Sequence, residues 1–251
     1  MRSKKTKRMA IIGIILALLL SCLFACTPVT PEQPEEQAKT VDFTQLTYVA
    51  FGDSITWGED GETHQRMQHT YPQLVAESLS LKGVENYGER GASITFLTTS
   101  PFVGNQVQQA SAKADIVSVM IGVNDFLGAH TLGTIDSTTA DCVYGGLHYL
   151  TKELLKKYPN AFIFFITPLN QTKSPVVNSK NYTLEDVATA MKEVCSAKNI
   201  PVLDLYATGE FSKETDSKSD GLHPTQKFTA DYTAPKIAKF IKDTLQPNQG
   251  N

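Results

Sequence analysis

Residues 48–54 read Tyr48-Val49-Ala50-Phe51-Gly52-Asp53-Ser54: four apolar residues without alternation, a glycine, then two polar side chains. A short unbroken apolar run of this kind predicts a strand buried on both faces. The same signature recurs at 84–87, 116–121, 161–166 and 202–205. Between these runs the period changes to a helical one. Apolar residues fall at 71, 74, 75, 79 and 81, and at 184, 187, 188, 191 and 194. Thr183 with Asp186 three residues on predicts the start of the second of these helices. Helices are also expected over 103–112, over 138–158 with Pro159 as its stop, and over 229–245. Five apolar strands separated by helices make an α/β chain whose parallel sheet is covered on both sides.

The composition agrees with a globular domain. The chain has 251 residues, 41% of them hydrophobic, with 23 Lys and Arg against 26 Asp and Glu. Near-balanced charge gives no support to nucleic-acid binding. Four cysteines are too few for a disulfide scaffold of this length. The length allows one or two domains. With no second linker and no repeat between residues 43 and 246, the expectation is one domain there and a short tail at 247–251.

The N-terminus reads differently. Five cations within residues 1–8 precede the apolar run Met9–Leu20, and the first acidic residue is Glu32. This is the pattern of a signal peptide. Leu23-Phe24-Ala25-Cys26 resembles a bacterial lipoprotein box, which implies removal of residues 1–25, lipidation of Cys26, a membrane tether and an extracytoplasmic location. Leu19-Leu20-Ser21-Cys22 is a competing match; Cys26 is preferred because Thr27-Pro28 follows and the chain turns polar. A permanent N-terminal anchor and simple secretion are the other readings. Residues 26–42, rich in Pro, Glu, Gln and Thr, form a solvated linker. Without residues 1–25, which hold five cations and no anions, the net charge falls from −3 to −8.

Ligands of open parallel sheets bind beyond the carboxyl ends of the strands, and there the polar residues gather. The first strand runs into Ser54, the second into Gly88-Glu89-Arg90-Gly91, and the third into Gly122-Val123-Asn124-Asp125. The fifth is followed some distance on by Asp220-Gly221-Leu222-His223-Pro224. These groups suit acyl transfer. A serine hydroxyl needs an adjacent base, and an imidazole base needs a group to fix its tautomer. Asp220 and His223, three apart in a turn, can meet. The oxyanion needs aimed donors: the Ser54 and Gly91 amides and the Asn124 side chain can serve.

With these motifs the chain resembles the SGNH hydrolases, or GDSL esterase/lipase family. Gly52-Asp53-Ser54-Ile55 is similar to the first family block and Asn86-x-Gly88-x-x-Gly91 to the second. Gly122-x-Asn124-Asp125 and Asp220-x-x-His223-Pro224 are similar to the third and last. The four span Tyr48 to Pro224 in family order. The resemblance implies a flavodoxin-like three-layer sandwich and a Ser54–His223–Asp220 triad. It also implies an oxyanion hole of Ser54, Gly91 and Asn124, with no metal and no organic cofactor. The G-x-S-x-G elbow of α/β-hydrolases is absent.

Asp53 and Asp125 read as structural residues that order the loops. Trp57 and Phe126, close to Ser54 and Asn124, are candidates to line the substrate pocket. His64 and His69 lie in a long loop within reach of substrate. Cys142 and Cys195 read as buried thiols in helices. The expected activity is hydrolysis of short-chain acyl esters, O-acetyl groups on extracellular carbohydrate in particular. A lysophospholipase or lipase is the alternative, and a non-catalytic surface binding protein the third reading.

Overall fold

The computed structural model describes residues 40–170, 176–208, 211, 216–217 and 220–246. The expected signal peptide, Cys26, nearly all of the linker and the 247–251 tail lie outside the described residues. From Thr40 on, the chain forms one compact unit.

Among the described residues, five strands build a single sheet: β1 (Thr47–Gly52), β2 (Gly83–Asn86), β3 (Ile116–Met120), β4 (Phe162–Ile166) and β5 (Val202–Leu203). Their order is β2-β1-β3-β4-β5 and every pairing is parallel. This is the flavodoxin-like order, in which the chain reverses direction across the sheet between β1 and β3. Successive side chains on a strand point to opposite faces, so each apolar run feeds two cores. Val49, Phe51, Val117, Val119 and Phe165 pack into one. Tyr48, Ala50, Ile116, Met120 and Phe164 pack into the other. This two-sided burial is the reason the strands carry no polar alternation. The edge strands β2 and β5 are short and only partly buried, which limits their pairing with other chains.

Among the described residues, eight α-helical segments flank the sheet: α1 (Ser54–Trp57), α2 (Tyr71–Ser78), α3 (Val103–Gln109), α4 (Val123–Leu127), α5 (Val143–Lys157), α6 (Leu184–Ser196), α7 (Gln226–Phe228) and α8 (Ala234–Leu245). On the first face Val107 of α3, Leu147 and Leu150 of α5, and Val187 and Met191 of α6 fill the core. Val75 of α2 and Ile237 and Ile241 of α8 fill the second. Cys142 and Cys195 are free, buried thiols; Cys195 lies in α6 as expected, whereas Cys142 stands just before α5 in extended backbone. Burial pushes the Cys195 thiol up to about 12.

Three helix boundaries differ from the expected ones: α3 stops at Gln109, three residues before the expected end, and the other two have a visible cause. α5 begins at Val143, five residues after the expected start: the Ala140 carbonyl accepts the Phe96 amide, Thr139 Oγ1 donates to Asp141 Oδ1, and Thr134–Ser137 just before them closes its own turn. The Ser137 amide donates to the Thr134 carbonyl and the Thr134 amide to the Ser137 hydroxyl. Such local side-chain bonds compete with helix formation. The expected helix over 229–245 is α8 preceded by a π-turn at Thr229–Thr233. Pro235 has no amide proton to give, and its ring crowds the carbonyl a turn earlier. A wider turn just before it accommodates both effects.

Candidate active site

The site gathers at the carboxyl ends of β1, β2 and β3. β1 ends at Gly52, where a Cβ would stand 2.2 Å from the Met120 carbonyl and 2.1 Å from Thr56 Oγ1. Only glycine lets α1 turn down so tightly against β3. Asp53 caps α1 by accepting the Ile55 amide at 2.9 Å, and Ser54 is the first helical residue. The first amides of a helix have no intrahelical acceptor, so the Ser54 N–H is open to a ligand.

Ser54 Oγ lies 2.8 Å from His223 Nε2. His223 Nδ1 lies 2.6 Å from Asp220 Oδ2. The other carboxylate oxygen accepts the Leu222 and His223 amides at 2.8 and 3.0 Å and the Ser217 hydroxyl at 2.9 Å. Burial alone would raise the Asp220 carboxyl, but the bonds from the His223 amide and ring, the Leu222 amide and Ser217 outweigh it. They hold it at about 2. A carboxylate charged at every working pH makes Nδ1 the protonated nitrogen of the neutral ring, leaving Nε2 to accept from the serine. A hydroxyl, an imidazole and a carboxylate so joined can move one proton off the hydroxyl and keep the resulting cation paired.

The loop after β2 is fastened over α1. Asn86 Nδ2 donates to the Thr56 carbonyl at 2.6 Å, and the Gly88 amide donates to Asn86 Oδ1 at 2.9 Å. A Cβ on Gly88 would fall 2.2 Å from the Trp57 nitrogen. Gly91 follows with φ +77°, and its amide makes no backbone hydrogen bond among the described residues. Asn124, in the first turn of α4, donates one amide proton to the Ala92 carbonyl at 2.8 Å. That bond ties its side chain to the residue after Gly91 and leaves a second proton to give. Asp125 is fully buried and accepts the Ile94 and Thr95 amides, both at 2.9 Å. It fixes the β2 loop to α4, in line with a structural reading. Asp53 is likewise buried; that burial, with Asp125 nearby, pushes its carboxyl up to about 7 against the opposing Ile55 bond.

Other sequence candidates separate. Phe126 is a correction: it is only 4% exposed and meets Tyr182 edge-on within the core. A helical turn three residues beyond β3 points it inward, into the core on that face of the sheet. Trp57 is half-buried, and its ring is covered by two cations, Arg66 at 5.3 Å and Arg90 at 5.5 Å from the ring centroid. His69 meets Glu77 and Gln226. His64 Nδ1 stands 3.9 Å from both Glu59 and Asp220, at the edge of the triad.

Sequence reasoning missed the Glu59 segment. Glu59 is 5% exposed, with Oε2 3.5 Å from His223 Nε2. Arg90 grips both its oxygens, Nε at 2.7 Å and Nη2 at 2.8 Å. Asp60 next to it accepts the Gln226 amide at 2.7 Å, and the Gly61 amide donates to the Pro224 carbonyl at 2.9 Å. The segment thus holds the His223 loop in place. Two acids between glycines look like any exposed turn, so no sequence signal marked them as buried. Glu59, His64 and His223 offer ligand atoms within 4.8 Å of one another. They are the group among the described residues that can hold a metal, although Arg90 and Ser54 already bond two of them.

This sheet order, with a serine, an imidazole and a carboxylate at its switch point, defines a serine hydrolase of the SGNH class. The sequence profile of the GDSL-like lipase/acylhydrolase family matches residues 50–228, and the chain belongs to that family. It is a carboxylic ester hydrolase. No curated protein matches the chain in sequence. A possible lipase from Chitinophaga pinensis is similar at 25% identity and TM-score 0.63, over 80% of this chain and 99% of that one. An aryl esterase of M. smegmatis is similar at 20% identity and TM-score 0.61, over 79% and 99%. A carbohydrate acetylesterase family member from Sinorhizobium meliloti is similar at 16% identity and TM-score 0.58, over 80% and 99%. At the identities of the last two, the likeness is one of fold.

Proposed function

We propose that Ser54, His223 and Asp220 are the catalytic triad of an esterase acting on short acyl groups, in particular O-acetyl groups of extracellular carbohydrate. The observation that carries the triad is the unbroken chain from Ser54 Oγ through the His223 ring to Asp220, at 2.8 and 2.6 Å. Ser54 Oγ attacks the ester carbonyl carbon while its proton passes to His223 Nε2. The oxyanion accepts from the Ser54 and Gly91 amides and from Asn124 Nδ2. Collapse breaks the ester C–O bond, and the alcohol leaves with the proton from Nε2. Water then gives a proton to Nε2 and attacks the acyl-serine, releasing the acid and restoring Ser54.

The substrate class is supported by the sequence, the charge and the shared fold. The sequence has no long apolar lid segment, and the acidic charge of residues 26–251 disfavours approach to anionic lipid surfaces. The solved carbohydrate acetylesterase shares the fold. A lipase acting on nearby lipid is the second reading, favoured by the C. pinensis neighbour's description. A panel of p-nitrophenyl esters with wild type and Ser54→Ala side by side tests both. Acetate should be preferred over octanoate, and the variant should fold yet lose nearly all turnover. Turnover persisting in Ser54→Ala would remove the triad assignment, and preference for octanoate would favour the lipase.

The enzyme is further proposed to sit outside the cytoplasm on a lipid at Cys26, supported by the basic start, the apolar run and the lipoprotein-like box. Acyl labelling of the wild type but not of Cys26→Ser is the expected result.

A further inference from the structure

We infer that the alcohol portion of the substrate carries an anion, held by Arg66 and Arg90; this rests on the esterase reading above. Arg90 directly precedes Gly91, whose amide faces the oxyanion. Its guanidinium clamps Glu59, and Glu59 lies 3.5 Å from His223 Nε2, the nitrogen that hands its proton to the departing alcohol. The alcohol side of a bound ester therefore leaves past Glu59 and Arg90. Glu59 engages Nε and one terminal nitrogen of Arg90. The other terminal nitrogen has two protons to donate, on a side chain that is 57% exposed.

Arg66 stands against the same Trp57 ring. Its Nε donates to the Trp57 carbonyl at 3.0 Å, and no carboxylate pairs with it among the described residues. The charges around the site then sort themselves. Glu59 is matched by Arg90, and Asp220 by the imidazolium that forms during the reaction. Asp60, beside Glu59, is bonded by the Glu62, Thr63 and Gln226 amides, and Arg66 is a cation here without a carboxylate partner among the described residues. A fixed, unmatched guanidinium on the rim is out of keeping with a chain that is strongly acidic beyond its first 25 residues. Stacking on one indole also limits the motion of both side chains, so little entropy is lost when they bind. Guanidinium forks fit carboxylate and phosphate oxygens alike. The anion can be the carboxylate of an acidic sugar or the phosphate of a lipid headgroup.

The test uses two pairs of esters that differ in the anion alone. One pair is an acetylated methyl glucuronoside and the acetylated methyl glucoside. The other is acetyl glycerol phosphate and acetyl glycerol. The readout is the ratio of kcat/KM, anionic over neutral, within each pair at low salt. At least one ratio should be about tenfold in the wild type, carried mainly by KM. It should fall toward one in Arg66→Gln and in ~0.5 M salt, where surface charges are screened, and recover in part in Arg66→Lys. The pair that shows it identifies the source of the anion. Ratios near one in both pairs, or a preference that survives Arg66→Gln, would overturn the inference while the hydrolysis of the neutral esters leaves the esterase reading standing. Failure to hydrolyse any ester would remove both.

Discussion

Asp220 and Asp53 are carboxylates a few residues from the reacting atoms, and their surroundings push them in opposite directions. Asp220 is held at about 2, below the ordinary 3.8. Its contribution to stability is present above about pH 4 and is lost only as pH falls through 2. Asp53 is pushed to about 7. Its contribution is complete below about pH 4 and is lost as pH rises through 7, because the fold must then hold a buried anion. Asp53→Asn keeps an oxygen for the Ile55 amide and cannot ionise. Thermal unfolding between pH 5 and 9 should therefore show a wild-type Tm that falls by several degrees relative to the variant. A constant difference across that range would mean Asp53 does not titrate there. Asn124 is argued to stabilise charge that exists only in the transition state. Asn124→Ala should lower kcat by 10²–10³, roughly 2.7–4 kcal/mol of barrier, with KM little changed. Of the residues at the site, the serine, the imidazole and the carboxylate that the structure joins were legible because their chemistry limits which residue types can serve. Glu59 was not, since its burial comes from Arg90 and the His223 loop, 31 and more positions away.

The helices that carry the site are among the short elements of the described residues. α1 and α4 have four and five residues, too few to show a helical period, so periodicity reported only the strands before them. What holds α1 is a backbone fit. A Cβ on Gly52 would fall within van der Waals exclusion of the Met120 carbonyl. Gly52→Ala should push α1 off β3, costing ~1–3 kcal/mol or more in denaturant unfolding and displacing Ser54 from His223. Activity should fall by more than the loss of folded protein explains. Normal activity per folded molecule would show that the close approach is dispensable. The long elements behaved differently: β1, β3, β4 and α6 stand within a residue of where their sequence patterns end, because each buries a continuous apolar surface. α5 and the start of α8 shifted where Ser, Thr and Pro side chains offered the backbone another bonding pattern or removed one.

At the scale of the whole molecule, the sheet is a frame with a reversal between β1 and β3, and the reactive groups stand at that reversal. Both apolar cores, one on each face, are built from residues after Thr40. A chain of residues 40–246 should therefore fold cooperatively and match the full chain in kcat/KM on p-nitrophenyl acetate; a loss of tenfold or more would place a functional part outside those residues. The class of fold and the meeting of Ser54, His223 and Asp220 could be read from the chain alone, since two-faced burial writes itself as unbroken apolar runs and acyl transfer demands particular residue types. Tertiary structure decided the rest. Phe126 became core, Trp57 became a seat for two arginines, and Glu59 came to face the imidazole. Such outcomes depend on distances between segments far apart in sequence, and packing sets those distances where local pattern carries no record of them.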